Sequence, residues 1–407
     1  MAASDHRGLL FSTVSTRLLT GFLLGLIISL WPRAWRFVAP ALSPYVAICS
    51  AIAVRSFSLA TLFAAPMLLV AMFHRRFWCR RLCPVGLVTE YCGKARLGSA
   101  ARARPVTSPG LWPPGRFIAF ATLGGALLGY PFLLWMDPLA LFSGAFSVSR
   151  IAHPGMPLLS LAGLPIVAAI SILFPGIWCF RICPLGATQD LLALAARWCA
   201  GNGSAGRETL PGARVTARRV VLALGAGTLF SAFAKSIWAE DRHDLRPPGN
   251  VNETAFKGGC IRCGSCSRVC PTGIIEPAVD AGHVAGLLAP RLRFSGPNYC
   301  LQDCNRCGQV CPTGVIRPLP LEEKNRHVIG IAAIDLSSCL LTQEVECGIC
   351  VPRCPRGAIV EGFDRRTYTA AVSVVQDKCN GCGACVGICP PKVVRVAPAI
   401  AGPTPPI

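Results

Sequence analysis

Four groups of cysteines in the second half of the chain constrain its fold more than any other feature of the sequence. Each group contains four cysteines, and a proline directly follows the last of them. Two groups share the spacing C-x2-C-x2-C-x3-C-P, and the other two widen only the first gap, to three and to seven residues. In chain order the groups are Cys260, Cys263, Cys266 and Cys270; Cys300, Cys304, Cys307 and Cys311; Cys339, Cys347, Cys350 and Cys354; and Cys379, Cys382, Cys385 and Cys389.

This spacing is the one with which bacterial ferredoxins hold 4Fe-4S clusters. Three thiolates on a tight loop reach one cluster, and small residues such as Gly264, Gly381 and Gly383 let the backbone come close to it. The fourth cysteine ligates the other cluster of a pair. The sequence therefore predicts four 4Fe-4S clusters, in two pairs, held by all sixteen cysteines. Because the two regular groups lie outside the two irregular ones, we expect the first group to pair with the fourth and the second with the third.

Disulfide bonds and zinc sites are the two other common uses of closely spaced cysteines. Neither predicts a proline after the last cysteine of all four groups, so iron-sulfur clusters are the favoured interpretation. The clusters also change the charge of this region. Residues 250–407 carry a formal charge of +4, and four clusters, each about −2 with its four thiolates, would bring it to about −4.

The first half of the chain has the composition of a membrane protein. In the whole chain 52% of residues are apolar, 15% are charged and the mean hydropathy is +0.50, which lies outside the range of ordinary soluble domains. Four apolar segments predict spanning helices, namely residues 18–31, 58–73, 117–136 and 157–174. A fifth, residues 220–234, is weaker because it is rich in Gly, Ala and Ser. Residues 38–54 contain two prolines, and we expect them to be interfacial or re-entrant.

Basic residues indicate how these helices are oriented. Nine Lys and Arg residues lie between the second and third predicted helices, whereas Arg150 is the only one between the third and fourth. The first of these segments is therefore expected to be cytoplasmic. The formal charge of the chain is +20, but its arginines lie at the ends of apolar segments without interleaved aromatic residues. Nucleic acid is therefore not expected as a partner.

A cysteine motif occurs twice in the apolar half, each time where an apolar segment ends. The chain reads FWCRRLCPVG at residues 77–86 and IWCFRICPLG at residues 177–186. The preceding segments are also similar, since Ser43-Pro44 matches Asp137-Pro138. We therefore predict two parallel repeats of helix, outer loop, helix and cysteine pair, which would bring both pairs together at the cytoplasmic surface. Cys79, Cys83, Cys179 and Cys183 could then hold a further cluster, act as a redox-active dithiol, or have a structural role.

The weak fifth segment decides on which side of the membrane the cysteine-rich tail lies. Arg218 and Arg219 precede an apolar run, which is similar to a twin-arginine export signal, although Ala217 stands where Ser or Thr is usual. If the segment crosses, the tail is periplasmic; otherwise the segment is an interfacial helix that leaves the tail in the cytoplasm. We expect it to cross. The predicted domains are then a membrane domain (1–200), a linker with the fifth helix (201–240) and a ferredoxin-type domain (241–407).

Taken together, these motifs resemble two known families. The paired WCRRLCP and WCFRICP resemble membrane ferredoxin proteins of the NapH/MauN type, over about residues 17–200. The Arg-Arg segment and the four cysteine groups resemble periplasmic polyferredoxins of the NapG/MauM type, over about residues 215–396. The chain therefore resembles a fusion of the two, except that NapH-type proteins usually end in a two-cluster domain of their own. The resemblance implies an α-helical membrane domain followed by an α+β ferredoxin-like domain.

The resemblance also implies a function. Proteins of these types are associated with quinol oxidation at the bacterial inner membrane, with electrons passed to a periplasmic redox protein, so the chain could be a quinol dehydrogenase component. An alternative class is an electron-donating maturation factor for a periplasmic metalloenzyme. The residues themselves indicate electron transfer rather than substrate transformation, since the tail has no nucleotide, flavin or c-type haem motif. A redox sensor is disfavoured because no signalling or DNA-binding module is visible.

Few residues of the apolar half are candidates for handling the protons of a quinol. His74, Asp137 and His153 are the ones that sequence suggests, because an ionisable group near a membrane is a functional hypothesis by default. The remaining cysteines, Cys49, Cys92 and Cys199, are expected to be inert thiols.

Overall fold

The computed structural model of the chain describes residues 15–16, 18–26, 37–56, 59–97, 113–145, 163–199, 217–238, 244–250, 252–278, 286–364 and 369–398. These residues form a helical half, up to residue 238, and a cysteine-rich tail.

The helical half is built from short helices that pack around a common core. Their bounds are α1 (18–26), α2 (Val38–Ala41), α3 (Pro44–Val54), α4 (Leu59–Leu62), α5 (Ala65–Phe73), α6 (Phe77–Arg81), α7 (Pro84–Leu97), α8 (Pro114–Leu127), α9 (Pro138–Ala145), α10 (Gly163–Leu173), α11 (Pro184–Cys199) and α12 (Ala217–Trp238). A single turn of π-helix, Trp178–Ile182, precedes α11 in the position that α6 occupies before α7. The buried core includes Tyr45, Leu134, Leu139 and Leu185.

Two of these helices begin at the same point in the interior. The Ser43 side chain accepts a hydrogen bond from the Val46 amide and so caps α3. Asp137 caps α9, because its Oδ2 accepts from two backbone amides at 3.0 Å. The Ser43 hydroxyl also donates to Asp137 Oδ1 at 2.6 Å. Proline at the first position of both helices reinforces the starts, since it needs no hydrogen bond there.

The predicted apolar segments are more interrupted than expected. Residues 58–73 contain two helices, α4 and α5, and α8 ends at Leu127, short of the predicted boundary at 136. The segment 38–54 is broken between its two prolines, as expected. Among the described residues, Ala217–Ser236 is the one helix that is long and apolar enough to cross a membrane by length and composition, and Pro44–Val54 and Gly163–Leu173 are shorter apolar helices.

The helix α12 packs closely against α8 through small residues. A Cβ added to Gly227 would overlap the Ala121 carbonyl, and one added to Gly124 would overlap the Leu224 carbonyl. The Ser231 hydroxyl donates to the Tyr130 carbonyl at 3.0 Å. Small residues at helix contacts allow backbones to approach in this way. The Gly, Ala and Ser residues of α12 lower its hydropathy and so weaken the prediction that it spans a membrane. The same small residues allow α12 to pack closely on α8.

The tail consists of short helices and three antiparallel two-stranded sheets. Its helices are α13 (Glu253–Gly259), α14 (Ser265–Val269), α15 (Arg306–Gln309), α16 (Leu321–Arg326) and α17 (Cys350–Arg353). Its strands are β1 (Ile275–Pro277), β2 (Pro290–Leu292), β3 (Gly330–Ile334), β4 (Ile359–Asp364), β5 (Thr369–Val374) and β6 (Val394–Pro398). They pair as β1 with β2, β4 with β5, and β3 with β6, where Gly330 lies opposite Pro398 and Ile334 opposite Val394.

The tail packs onto one end of the helical half. Ile261 and Cys263 belong to the same buried core as Leu139 and Phe142, and a Cβ on Gly258 would lie 2.6 Å from the Tyr130 ring. The cysteine pairs lie towards the other end of α8, because a Cβ on Gly115 would lie 2.9 Å from the Cys183 carbonyl. The 14 residues of α8 span about 21 Å, so the tail and the cysteine pairs are near opposite ends of one short helix.

Candidate iron-sulfur centres

The first cysteine group of the tail surrounds a small cavity. The cavity has a volume of about 60 Å³, and Cys260, Cys263, Cys266 and Cys311 are among its lining residues. Three of these cysteines come from the first group, whereas Cys311 is the last cysteine of the second. This arrangement is the one that ferredoxin clusters require, because the fourth ligand comes from the partner motif. The residues present therefore fit a 4Fe-4S cluster.

The second group has the reciprocal arrangement. Cys300 and Cys307 lie within electrostatic range of Cys270, the last cysteine of the first group, and of Cys304. Cys266 in turn lies within range of Cys307, so the first two sites are neighbours. The first and second groups therefore exchange their fourth cysteines.

The third and fourth groups exchange their last cysteines in the same way. In the third group, Cys350 lies within electrostatic range of Cys339, Cys347 and Cys389. In the fourth group, Cys382 lies within electrostatic range of Cys354 and Cys379. The predicted nested pairing is therefore wrong, because groups pair in chain order. The physical reason is local: the hairpin β1–β2 lies between the first two groups and β4–β5 between the last two, so each intervening segment folds back on itself.

Burial of these cysteines disfavours the deprotonated thiolate form unless a nearby positive charge compensates for the lost hydration. Desolvation raises the pKa of Cys260 to about 11 and that of Cys385 to about 12. No disulfide bond joins any cysteines of the described residues, so the disulfide interpretation is not supported. Across the described part of the chain, no group of three or more His, Cys, Asp or Glu side chains is close enough to hold a single metal ion. Thiolates around a four-iron core must stand farther apart than those around one ion.

The cysteine pairs of the helical half lie in the interior. Cys83 and Cys183 are 4% and 6% exposed and belong to the buried core, and Cys79 and Cys179 are partly buried. The two pairs come together, as expected, because Cys183 lies within electrostatic range of Cys79, Cys83 and Cys179. That they meet at the cytoplasmic surface of a membrane stays a prediction.

Hydrogen bonds cross between the two cysteine motifs in a symmetric way. Thr89 Oγ1 lies 3.1 Å from Cys179 Sγ, and Gln189 Nε2 donates to Cys79 Sγ at 3.3 Å. Thr89 and Gln189 are 100 residues apart, as are Cys79 and Cys179, so each motif supplies a contact to the cysteine of the other. Sequence reasoning missed both residues, although the fixed 100-residue offset was a signal that could have found them.

A buried ion pair lies beside the same cysteines. Arg76 Nη2 contacts Asp190 Oδ2 at 2.7 Å, and Arg75 contacts the same carboxylate at 3.3 Å. Arg76 Nη1 also donates to the Cys179 carbonyl at 3.1 Å. Sequence reasoning assigned these arginines to membrane orientation alone, whereas Arg76 is 17% exposed and places positive charge next to the cysteine site.

The proton-handling candidates have other surroundings. Asp137 is fully buried and caps α9, which is a structural role. His74 is exposed at the end of α5, with its ring centroid 6.2 Å from that of Phe77. His153 lies outside the described residues. Of the cysteines expected to be inert, Cys49 is buried, Cys92 partly buried and Cys199 exposed.

A large apolar cavity lies between helices α3, α8, α11 and α12. Its volume is about 710 Å³, and its lining includes Tyr45, Cys49, Thr188, Leu191 and Val220. The Tyr45 hydroxyl donates to Thr122 Oγ1 at 2.8 Å and lies within electrostatic range of Cys183. The cavity is therefore adjacent to the interior cysteines, and its size is that of a small-molecule site.

The first tail site is joined to the helical half by hydrogen bonds. The Ser143 hydroxyl, on α9, donates to the Cys263 carbonyl at 3.2 Å. Arg268, which is 2% exposed, donates to the Ser143 carbonyl and to its hydroxyl oxygen, both at 2.9 Å, and to the Cys263 carbonyl at 3.0 Å. One arginine thus ties the loop of the first cysteine group to α9.

Two families of iron-sulfur proteins match the chain, one in each half. The family described as 4Fe-4S dicluster domain matches residues 259–315 and 345–393. The first range contains the first and second cysteine groups. The second range contains the fourth group and all of the third group except Cys339. A second family, described as 4Fe-4S binding domain, matches residues 56–103 and 156–200, one cysteine pair each. The chain is therefore an iron-sulfur protein with ferredoxin-type 4Fe-4S domains.

Curated relatives define the family more closely. "Ferredoxin-type protein NapF" of Haemophilus influenzae is 36% identical over 155 residues, covering 37% of this chain and 78% of the relative. "Methylamine utilization ferredoxin-type protein MauM" of Methylophilus methylotrophus is 31% identical over 196 residues, covering 44% and 82%. "Ferredoxin-type protein NapG" of Escherichia coli is 34% identical over 154 residues, covering 36% and 65%. The chain belongs to this family of Nap and Mau ferredoxin-type proteins.

Each of these matches covers only part of this chain and only part of the relative. The chain spans about 65% of the length of the NapG relatives. No solved structure matches the chain.

Proposed function

We propose that this chain is a membrane-anchored iron-sulfur protein that carries electrons from the quinol pool to a periplasmic redox protein. In this proposal a NapH/MauN-type membrane half is fused to a NapG/MauM-type tail of four clusters. The observation that carries the proposal is the joint between the halves. Arg268 and Ser143 fix the first tail site against α9, and Cys263 lies in the core of the helical half.

Outward-facing apolar side chains support the membrane anchor. Phe73 is 78% exposed, Trp198 81% and Leu229 73%, on three different helices. Water would make such a surface unfavourable, whereas lipid would cover it. The close packing of α12 on α8 supports a fifth membrane helix that belongs to the bundle.

Contacts between equivalent residues support the two parallel repeats. Ser43 and Asp137, which the sequence places at matching positions, cap matching helices and hydrogen-bond to each other. The helix that follows each cysteine pair packs on the helix that precedes the other pair, α7 on α10 and α11 on α5. An axis along the membrane normal would relate the repeats.

Cys79, Cys83, Cys179 and Cys183 would hold the centre that receives electrons in the helical half. Arg76, which donates to the Cys179 carbonyl, and the amide of Gly86, which donates to Cys83 Sγ at 3.4 Å, would partly offset the cost of burying thiolates there. The helices α7 and α11 begin directly after Cys83 and Cys183, so their positive ends point at the site. A 4Fe-4S cluster changes its charge by one electron with little rearrangement.

The cavity between α3, α8, α11 and α12 is the proposed quinol site. Its lining is mostly apolar, as a quinone ring and isoprenoid tail require, and includes Tyr45 and Thr188. Oxidation of the quinol releases two electrons and two protons, and the electrons must leave one at a time. Tyr45 and Thr188 would orient the ring beside Cys183.

The short helix α9 connects the Ser43–Asp137 contact in the interior to the tail. It begins at Pro138, beside the Ser43–Asp137 contact, and its eight residues extend over about 12 Å to the Ser143–Cys263 hydrogen bond.

The test is to add reduced quinol to the protein in membranes and to follow cluster reduction by EPR. We expect reduction in the wild type and its loss in Cys183→Ser. Cys92→Ser, a change at a cysteine outside both motifs, is the matched control and should behave as the wild type. No reduction by quinol in a preparation that dithionite reduces fully would refute the donor side of the proposal.

A further inference from the structure

The fourth cysteine group, rather than the third, contacts the first pair of sites. The Cys300 amide donates to the Cys382 carbonyl at 2.9 Å. A Cβ on Gly383 would overlap the Phe294 ring, and one on Gly387 would overlap the Gly296 carbonyl. Such contacts need glycine, because any side chain would hold the two segments apart. Counted from the helical half, the cysteine sites therefore follow the order first, second, fourth, third.

The third site is the outermost of the four. It consists of Cys339, Cys347 and Cys350 from the third group and Cys389 from the fourth. Cys354, the last cysteine of the third group, belongs to the fourth site. The first site is at the opposite end, against α9. An electron that leaves the protein far from the helical half would therefore leave near Cys347.

The widened gap of the third group forms an exposed loop beside this site. Val345 and Ile349 flank Cys347 at two residues on either side and are 49% and 43% exposed. Glu344 and Glu346, on either side of Val345, are also exposed. Residues 340–349 contain no Lys or Arg. The two-residue gap of a regular ferredoxin motif leaves no room for such a surface.

We propose that residues 344–349 form the docking surface for a basic, one-electron redox protein, and that the third site lies directly beneath it. This proposal rests on the proposed function, since it requires the tail to conduct electrons. Exposed apolar side chains with an acidic rim are complementary to a partner with an apolar centre and a basic rim. When loaded, the third site would supply one electron, reducing an acceptor haem from Fe(III) to Fe(II) without moving a proton.

The test uses the full-length protein, reduced with dithionite and then freed of it, with oxidised cytochrome c as a basic redox probe. Binding is measured by calorimetry at low ionic strength with both proteins oxidised, so that no electron transfer contributes heat; the reduced protein is used to measure the rate of cytochrome c reduction. The double variant Glu344→Lys with Glu346→Lys should bind about tenfold more weakly, because like charges then face each other. The matched control is Glu322→Lys with Glu323→Lys, which makes the same charge change at two exposed residues of α16 and should bind as the wild type.

Equal weakening by both double variants would mean that only net charge matters and would overturn the proposal. A second variant, Cys347→Ser, tests the site beneath the surface: iron content should fall by about four atoms, and the rate of cytochrome c reduction should fall at least tenfold. An unchanged rate would also overturn the proposal. Because dithionite supplies the electrons, failure of quinol to reduce the protein would leave these results interpretable.

Discussion

Replacement of Arg268 by Met tests whether the tail is fixed to the helical half as the structure indicates. Arg268 donates two hydrogen bonds at 2.9 Å to Ser143 on α9, and Met keeps much of its length without the charge. A hydrogen bond from a charged donor contributes about 1.5–3 kcal/mol. Two such bonds at the lower limit give about 3 kcal/mol, which corresponds to about a 150-fold change in the docking equilibrium.

Hydrogen exchange of the backbone amides measures this equilibrium directly. Amides of residues 138–145 and 260–268 should exchange about 150-fold faster in Arg268→Met if they exchange through undocking. The matched control is Arg293→Met, because Arg293 is 40% exposed and pairs with Glu276, at 3.8 Å, within the tail. Its exchange should match that of the wild type.

A double-mutant cycle with Ser143→Ala isolates the hydrogen bond from Arg268 to the Ser143 hydroxyl, because alanine keeps the backbone carbonyl that accepts the other bond. If the bond to the hydroxyl contributes to docking, the two changes together should cost less than the sum of the single changes. Additive effects, or equal exchange in Arg268→Met and Arg293→Met, would refute the reasoning. Electron transfer from quinol to the first tail cluster should slow in parallel with the loss of protection.

Three further predictions concern other parts of the chain. Anaerobically purified protein should contain about 16 iron atoms from the tail, and about 20 if the helical cysteines hold a cluster; a count near 16 that Cys79→Ser leaves unchanged excludes the fifth cluster. Gly227→Leu should lower the thermal unfolding temperature, because the side chain would overlap the Ala121 carbonyl, whereas Gly225→Leu should not, since nothing lies within 4 Å. A topology reporter fused after residue 240 should respond as periplasmic, and a cytoplasmic response would overturn that orientation.

The cofactor class was predictable because ligand spacing is a local property. Three cysteines within a few residues, with Gly264 at a φ of 69° beside them, form a loop whose shape depends little on the rest of the chain. The same holds for the starts of α3 and α9, where a cap residue and a proline specify the helix end. The cofactor class was therefore correct without knowledge of the fold, whereas the two helix starts, although equally local, were not predicted.

The pairing of the sites was not predictable in this way. Regular and irregular spacing describes each loop by itself and contains no information about which loop lies opposite. The fold decides this through the hairpins β1–β2 and β4–β5, which bring consecutive groups together. Hydropathy likewise marks where an apolar run ends, but it does not show that Cys83 and Cys183 then lie in the buried core.

The sequence alone determined the chemistry of this protein: sixteen cysteines in ferredoxin spacing, a second type of cysteine pair repeated at 100 residues, and an apolar half with basic segments. Tertiary structure decided the arrangement. It set Thr89 and Gln189 against cysteines of the opposite repeat, tied Arg268 to Ser143, and left the third site outermost. Ligand identity is decided within one loop, whereas these contacts join residues about 90 to 125 positions apart, which only the folded chain brings together.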